Sequence, residues 1–335
     1  DMYTRGLSLP AVFGAEAPRG NYADLKTTGW EIALTWRDAF NVGGKPLSYD
    51  ARVTLSDYQS EILRYNNPEK FLDDYYVGMK VGEIWGYVTE GFFTSQEDID
   101  NHADQSFLRS TNNRIYHPGD IKLRDLNGDG VIDQGLNTVD DPGDRKIIGN
   151  TTPRYSFGVQ LGANWSNFSV STFFQGVGKQ DWYPSPEANH FWGQYNRPYN
   201  DIPKWHLKEG MIWSEENPDS FFPRYVSRIA HNSGGILWQK QTKYLMNAAY
   251  IRLKNVQVGY NLPANLTSRM GIRAARVYVA ADNIWTWSPL YKIADNVDVE
   301  NITAPSDQLF TGSNAGDGYN YPMLKSASIG VSITL

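Results

Sequence analysis

One short acidic stretch of the chain, D-L-N-G-D-G-V-I-D from Asp125 to Asp133, has the residue types and spacing of a cation-binding loop. Oxygen-bearing side chains alternate along it, and in a tight turn such side chains can converge on one ion. The pattern fits the first nine positions of an EF-hand-type calcium loop, D-x-N-x-D-G-x-I-x. The predicted Ca²⁺ ligands are the side chains of Asp125, Asn127, Asp129 and Asp133 and the main-chain carbonyl of Val131.

The end of this motif departs from the calcium pattern. Leu136 stands at the twelfth position, where an EF-hand loop has an acid, and Asp140, Asp141 and Asp144 follow shortly after. Calcium needs six or more oxygen ligands, so another group would have to complete the set. The alternative is a solvated acidic turn that binds no metal.

Motifs for catalysis are absent from the sequence. There is no HExxH zinc motif, no GxSxG nucleophile elbow and no cysteine, so the usual metal, serine and thiol chemistries lack their residues. Paired carboxylates such as Asp73–Asp74 and Glu215–Glu216 stand in polar stretches, where we expect them to be solvated. We therefore predict that the protein is not an enzyme. The histidines, which we expect on surface loops, are His102, His117, His190, His206 and His231.

Tryptophan is concentrated in the irregular stretch 179–247. The flat faces of these rings could stack on sugar rings or peptide side chains. The alternative is that they pack the loops against one another, which we expect of any single one. These residues are Trp182, Trp192, Trp205, Trp213 and Trp238.

The C-terminal stretch shows the element that organises the rest of the chain. From Ser326 onward, apolar and small polar residues alternate with a period of two, which predicts a strand with one apolar and one polar face. We expect the apolar face to border lipid. The apolar residues are Ile329, Val331 and Ile333, and those between them are Ser328, Gly330 and Ser332. The same alternation predicts strands within 30–37, 49–56, 155–165, 168–174, 251–260 and 277–287.

The connections between these strands alternate in length. Short connections are predicted at 38–46, 165–167 and 262–272, and long ones at 64–152, 179–247 and 288–319. Short periplasmic turns and long external loops are typical of outer-membrane β-barrels. With residues 1–12 as a partial strand, this gives about eight antiparallel strands and places Leu335 at the periplasmic side.

Within these stretches, smaller features are also predicted. A phase slip at 254–255 indicates a β-bulge. Residues 82–93 are expected to form a short hairpin, and Q-E-D-I-D-N-H-A-D-Q one helical turn. The net charge of −6 argues against a nucleic-acid partner, since such proteins are usually basic. No run of 18 apolar residues exists, which excludes helical membrane spans.

Several segments together resemble the SusC-like (RagA-like) TonB-dependent outer-membrane transporters of Bacteroidetes, from about Leu9 to Leu335. The resemblance is carried by LPAVFGAEAPRGNYADLKTTGWEIALTW, by DLNGDGVID with DRKIIGNTTPRYSFGVQLGANWSNFSVSTFFQGVG, and by ENPDSFFPRY, AAYIRLKNVQVGYNLP and RVYVAADNIWTW.

The resemblance implies that 1–335 is the C-terminal third of a barrel of about 22 strands. The plug and the segment that contacts TonB would lie upstream, outside this chain. It also implies a SusD-like lipoprotein lid on the external loops, uptake of oligosaccharides or peptides, and a place in the outer membrane of a Gram-negative bacterium.

Two departures from the family pattern stand out. In the family, the acid that completes the cation loop directly precedes an Arg and an IIG-like strand. Asp144–Arg145 match that position here, so Asp144 is the expected sixth ligand. The preceding GLNTVDDP then resembles an insertion. Family members usually end on Phe, whereas this chain ends on Leu335.

Two other functions remain open from the sequence. The chain could be a complete small outer-membrane barrel with a structural or pore role. It could also be a soluble carbohydrate-binding β-domain.

Overall fold

An eight-stranded antiparallel sheet forms the frame of the computed structural model, which describes residues 2–5, 14, 19–108, 115–185, 188–195, 201–225, 236–302 and 322–335. Its strands are β1 (Met2–Arg5), β2 (Arg19–Val42), β3 (Lys45–Arg64), β8 (Arg154–Trp165), β9 (Phe168–Lys179), β12 (Tyr250–Asn261), β13 (Ala274–Trp287) and β14 (Ser326–Thr334). Each strand pairs with the next one in this order. The predicted sheet of about eight antiparallel strands is therefore confirmed.

Directly paired residues of an antiparallel sheet have their side chains on the same face. Following the pairs from strand to strand shows that one face of this sheet is apolar and the other is polar. One row of partners across six strands is apolar throughout: Leu34, Val53, Val159, Phe174, Leu253 and Trp285. A row on the other face, across seven strands, is polar or small: Arg37, Asp50, Gly162, Ser171, Gln257, Ala280 and Ser328.

The apolar face is uncovered. Leu34 is 66% exposed and Ile329 78% exposed, which is the reverse of a soluble sheet packed on a core. Large apolar side chains exposed across a whole sheet mark a surface that borders something other than water. Among the described residues, no helix is long and apolar enough to cross a membrane.

The short connections lie at one end of the sheet. β2 and β3 are joined by Gly43 and Gly44 alone, both with positive φ (+58° and +75°), the conformation of a tight hairpin turn. The predicted break at 38–46 is therefore too long, since both strands continue into it. The turn at Ser166–Asn167 is as predicted. The connection at 262–272 contains a short helix, α3 (Ala264–Arg269).

The predicted bulge is also present. The register of β12 against both of its neighbours shifts between Leu253 and Asn255. Against β9 the extra residue is Lys254. Against β13 the two residues Asn283 and Ile284 lie opposite Lys254, and Asn283 has a φ of +53°.

The hairpin predicted at 82–93 is wrong. β4 (Glu83–Tyr87) pairs with β7 (Arg145–Asn150), and β5 (Thr89–Phe92) pairs with β6 (Ile121–Leu123). A single residue separates β4 from β5, too few for the chain to reverse. The helical turn is as predicted, α1 (Gln96–Asp100), with the side chain of Ser95 accepting the N–H of Asp98 at 3.1 Å.

The hydrophobic core lies in the long connections rather than on the sheet. Described residues of 65–153, 180–249 and 288–302, which we call the loop cap, bury one continuous cluster. The strands β10 (Asp181–Trp182) and β11 (Met246–Asn247), the helix α2 (Asn189–Trp192) and several 3₁₀ turns also belong to it. The largest of its fully buried side chains are Tyr87, Tyr195, Tyr244, Phe191 and Phe222.

The cap resolves two expectations about aromatic and histidine side chains. Trp182, Trp192 and Trp205 are buried in its cluster, so they pack the loops together. The side chain of Trp238 lies outside the described part. His206 is only 1% exposed, so the expectation of a surface histidine is wrong there. Its ring contacts those of Tyr195, Trp205 and Phe222, the last with a centroid distance of 4.5 Å.

Candidate functional site

The acidic stretch folds into a compact turn on the surface of the loop cap. The carboxylate of Asp125 accepts the N–H of Gly128 at 2.7 Å and that of Gly130 at 2.9 Å. The side chain of Asn127 accepts the N–H of Asp129 at 3.0 Å. Short polar side chains that bond to the backbone just ahead of them stabilise such turns locally. The sequence therefore builds the turn with or without an ion.

The fold brings Asp144 into this turn across the intervening loop. Its side chain is fully buried and accepts the N–H of Leu126 at 2.6 Å and that of Asp133 at 2.9 Å. The Asp144 N–H in turn donates to the carbonyl of Asp133 at 3.1 Å. Asp144 is thus placed beside Asp125, Asn127 and Asp133 of the predicted ligand set, although eleven positions separate it from Asp133 in the sequence.

Charges in the turn are unevenly stabilised. Burial raises the pKa of Asp144 above its ordinary value, and the nearby negative charge of Asp125 adds to this. Backbone N–H donors from Gly128 and Gly130 lower the pKa of Asp125. A bound cation would favour the ionised form of both carboxylates. The donor types therefore suit Ca²⁺.

The positions of these side chains do not by themselves define an ion site. In the described part of the chain, no group of three or more His, Asp or Glu side chains is arranged to hold a metal ion. The carboxylates instead accept main-chain N–H groups, although each oxygen has two lone pairs and so can accept again. The calcium ligand set stays a prediction.

Ile132 anchors the turn to the loop cap. Its side chain is fully buried in the hydrophobic cluster. Its N–H donates to the carbonyl of Asp104 at 2.8 Å, and the N–H of Asp104 donates to that of Gly130 at the same distance. The turn is thus fixed at its C-terminal half, while its ligand-bearing half faces solvent.

The segment between Asp133 and Asp144, which resembles an insertion, docks on the start of the first long connection. The N–H of Leu72 donates to the carbonyl of Asn137 at 2.9 Å, and Val139 N–H donates to the carbonyl of Lys70 at 3.1 Å. Arg145 bonds to the Asn137 side chain at 2.8 Å. The insertion is therefore part of the folded cap.

Sequence reasoning missed a buried cluster of charges behind the β-bulge. Arg252 contacts Asp298 at 2.6 Å and Glu300 at 2.9 Å, and Lys254 contacts Glu300 at 3.0 Å. Arg252 is 4% exposed. Arg252 and Lys254 are two residues apart on β12 and lie on its polar face, so this cluster, which we call the ion clamp, holds 298–300 against that face. The spacing of the two cations was the signal in the sequence.

The fold and its two faces define a class of protein. A large antiparallel sheet with a continuous exposed apolar face, short turns at one end and long folded loops at the other is the wall of a transmembrane β-barrel.

Comparison with known proteins gives the particular likeness. The chain is 26% identical over 347 residues to TonB-dependent receptor P26 of Formosa agariphila, a match that covers 98% of this chain and 31% of the relative. It is 24% identical to TonB-dependent receptor P3 of the same organism, with 97% and 30% covered. The chain thus spans about a third of the length of these relatives. No family model matches it.

Solved structures show the same fold. A structure of the RagAB peptide transporter superposes with a TM-score of 0.58 at 17% identity, covering 98% of this chain and 31% of that one. The RagAB peptide importer in its open-open state gives a TM-score of 0.57 at 16% identity, with 98% and 31% covered. The resemblance to SusC-like (RagA-like) TonB-dependent transporters is confirmed. By their names, these relatives are receptors and transporters, none of them an enzyme.

Proposed function

We propose that this chain is part of a SusC-like TonB-dependent importer in the outer membrane of a Gram-negative bacterium. The similarity to TonB-dependent receptors along 98% of the chain carries this proposal. The exposed apolar face supports it and weighs against a soluble carbohydrate-binding domain. Alignment with about a third of each relative favours a large transporter over a complete small barrel.

In this proposal the sheet is barrel wall and the loop cap is external. The short turns and Leu335 then lie at the periplasmic side, because the long connections all leave from the opposite end. TonB would act through the upstream region, and a SusD-like lipoprotein would cover the cap. The substrates would be oligosaccharides or peptides.

Uptake by intact cells tests the transport function. A strain lacking the full-length protein should lose uptake of labelled oligosaccharides or peptides, and dissipating the proton-motive force in wild-type cells should stop uptake as well. Uptake of both substrate classes that persists in the deletion strain would contradict the proposal.

Co-purification tests the lipoprotein partner. Deleting all of 179–247 is a blunt test, because this segment supplies much of the cap core. Leu207 is 69% exposed on the cap, so Leu207→Asp perturbs its surface while sparing its core. The control is Leu266→Asp, 46% exposed in the connection at the other end of the sheet. The first should weaken co-purification of a lipoprotein and the second should not. Wild-type protein that purifies without a lipoprotein would contradict the partnership.

For the acidic turn we propose one structural Ca²⁺ held by Asp125, Asn127, Asp129, the Val131 carbonyl, Asp133 and Asp144. Four carboxylates in so small a space repel one another unless a cation neutralises them. The ion would fix the shape of the turn and the start of β7, and it would not take part in catalysis.

Calcium titration of the chelated full-length protein tests this site. Wild type should bind Ca²⁺, and Asp129→Ala should lose at least one binding site. The matched control is Asp140→Ala, which removes an exposed acid of the same loop that is outside the ligand set. No uptake by wild type, or equal uptake by Asp129→Ala, would show that the site does not exist.

A further inference from the structure

The apolar face of the sheet ends along one row of residues near the end that carries the loop cap. On β2, β3 and β8 this row contains Trp30, Asp57 and Tyr155. Trp30 pairs directly with Asp57, which accepts the N–H of Tyr155 at 3.4 Å. The neighbouring row towards the short turns is apolar, and the one towards the cap is polar: Ile32, Leu55 and Phe157 against Thr28 and Gln59. In a barrel wall, lipid headgroups begin where the apolar band ends.

Asp57 is an acidic residue on the apolar face, and yet it is only 8% exposed. Arg154 compensates its charge: the Nε of Arg154 donates to one carboxylate oxygen and its Nη2 to the other, both at 2.5 Å. Two parallel bonds of this kind fix the plane and the direction of the guanidinium. Arg154 is therefore held in one orientation at the row where the apolar band ends.

The backbone beside this ion pair is strained. Tyr155 has a φ of +56°, the left-handed conformation, within β8. Simple alternation would place Arg154 on the polar face together with Ser156. The left-handed residue between them interrupts the alternation, and the Arg154 guanidinium reaches Asp57. Such strain persists only where the surrounding structure maintains it, and it is concentrated at functional sites.

Arg154 has donors left for another group. A guanidinium has five N–H donors, and Asp57 accepts two of them. Within the described ranges no other acceptor takes the remaining three, and the Arg154 side chain is 21% exposed. The planar fork that binds carboxylates also matches the geometry of a phosphate.

Positive charge exceeds negative charge on this part of the face. Lys26 pairs directly with Glu61, on the same face as Asp57, and Lys80 forms an ion pair with Glu61. Together with Arg154, three cationic side chains therefore stand against two carboxylates. A surplus of basic side chains just outside the apolar band attracts anionic headgroups.

We propose that Arg154 and Asp57 form a binding site for the phosphate of an outer-leaflet lipid. Arg154 donates its free N–H groups to the phosphate, and Asp57 positions the guanidinium without touching the lipid. Trp30 and Tyr155, 45% and 44% exposed, flank the site at the level of the headgroups, where such rings are enriched in membrane proteins. This inference rests on the proposed place in the outer membrane, and it is independent of which substrate is transported.

Lipid binding to the purified full-length protein in detergent tests the site, with native mass spectrometry as the readout. The probes are lipid A with its phosphates, the same lipid without them, and inorganic phosphate. Wild type should retain the phosphorylated lipid, and Arg154→Gln should weaken its binding about tenfold, as expected for one charge-assisted contact. The dephosphorylated lipid should bind weakly to both proteins.

Arg154→Lys separates the lipid contact from the ion pair. Lysine keeps the charge and can still bond to Asp57, but it lacks the planar fork. Affinity for the phosphorylated lipid should therefore fall several-fold while the protein assembles normally. The matched control is Arg52→Gln, which removes an exposed arginine of β3 on the polar face, directly opposite Gln160, and should leave lipid affinity unchanged.

Four results would overturn the lipid site. One is unchanged affinity for the phosphorylated lipid in Arg154→Gln or, if that variant does not assemble, in Arg154→Lys. The second is an equal loss in Arg52→Gln, and the third is equal affinity of wild type for the two lipids. The fourth is displacement of the lipid by inorganic phosphate, which would mark a site for a free anion. None of these results bears on the transport function, which fails if the deletion strain still takes up both substrate classes.

Discussion

A charge placed on the apolar face should be far more damaging than the same charge on the polar face. Val279 of β13 is 50% exposed on the apolar face, directly between Val258 and Ile329. Its neighbour Ala280 lies on the polar face between Gln257 and Ser328. Val279→Arg and Ala280→Arg therefore place the same guanidinium group at adjacent positions of β13 but on opposite faces of the sheet.

The size of the effect follows from the position of Val279 along the strand. Along β13, Val279 is ~13 Å from Ala275 and ~20 Å from Trp285 at the usual rise per residue. A strand tilt of ~40° reduces these distances to ~10 Å and ~15 Å, which places Val279 near the middle of an apolar band ~25 Å tall. An arginine there should cost about 2–4 kcal/mol, against roughly 0.5 kcal/mol or less for Ala280→Arg.

The two variants would be compared in the full-length protein by the fraction assembled in outer membranes and by urea unfolding in lipid vesicles. At 1.4 kcal/mol per factor of ten, Val279→Arg should shift the folding equilibrium roughly 30-fold or more. The same comparison at Val331 and Ser332 on β14 repeats the test nearer the end of the strand. Equal losses for the apolar-face and polar-face variants would refute the assignment of faces.

Three further outcomes are expected of the loop cap. Burial lowers the pKa of His206 to about 4, so the free energy of unfolding of the cap is highest above pH 6.5, where this side chain is neutral in both states, and falls by about 3 kcal/mol as the pH drops towards 4. Tryptophan fluorescence should report this loss of stability, and His206→Phe should abolish the pH dependence of the fluorescence. Asp298→Asn leaves the buried Arg252 without its closest carboxylate and should lower the stability of the cap by about 3 kcal/mol. Hydrogen exchange in the segment after β13 should then be faster, and unchanged exchange would show that the ion clamp is not stabilising. Gly119→Ala adds a Cβ that clashes with the ring of Trp213, at a φ of +89°. It should lower the melting temperature of the cap more than Gly210→Ala, where φ is +82° but no atom is near the added Cβ, and equal decreases would contradict this.

The sequence by itself determined the sheet. Alternation with a period of two is a local property, because successive side chains of a strand point to opposite faces whatever the strand pairs with. It therefore gave the faces of β8, β13 and β14, and a change of phase gave the bulge at Lys254. The order of short and long connections followed from the same reading.

The acidic turn was also largely a local property. Asp125 and Asn127 bond to backbone groups only two to five residues ahead, so the turn can be read from its own residues. That Asp144 lies beside the turn could be inferred only through the family resemblance, because ten residues separate it from Asp133 and no local pattern in them predicts that the two ends meet. Whether an ion completes the site depends on side-chain positions that no sequence spacing fixes.

Only the tertiary structure decided the loop cap. Its small sheets join segments that are distant in sequence, such as 83–87 with 145–150, and no local period predicts which stretches meet. The burial of His206 and the capture of Asp298 by Arg252 follow from that assembly rather than from the residues around them. A period of two fixes how a strand presents its side chains, whereas a loop takes its structure from partners that the rest of the fold brings to it.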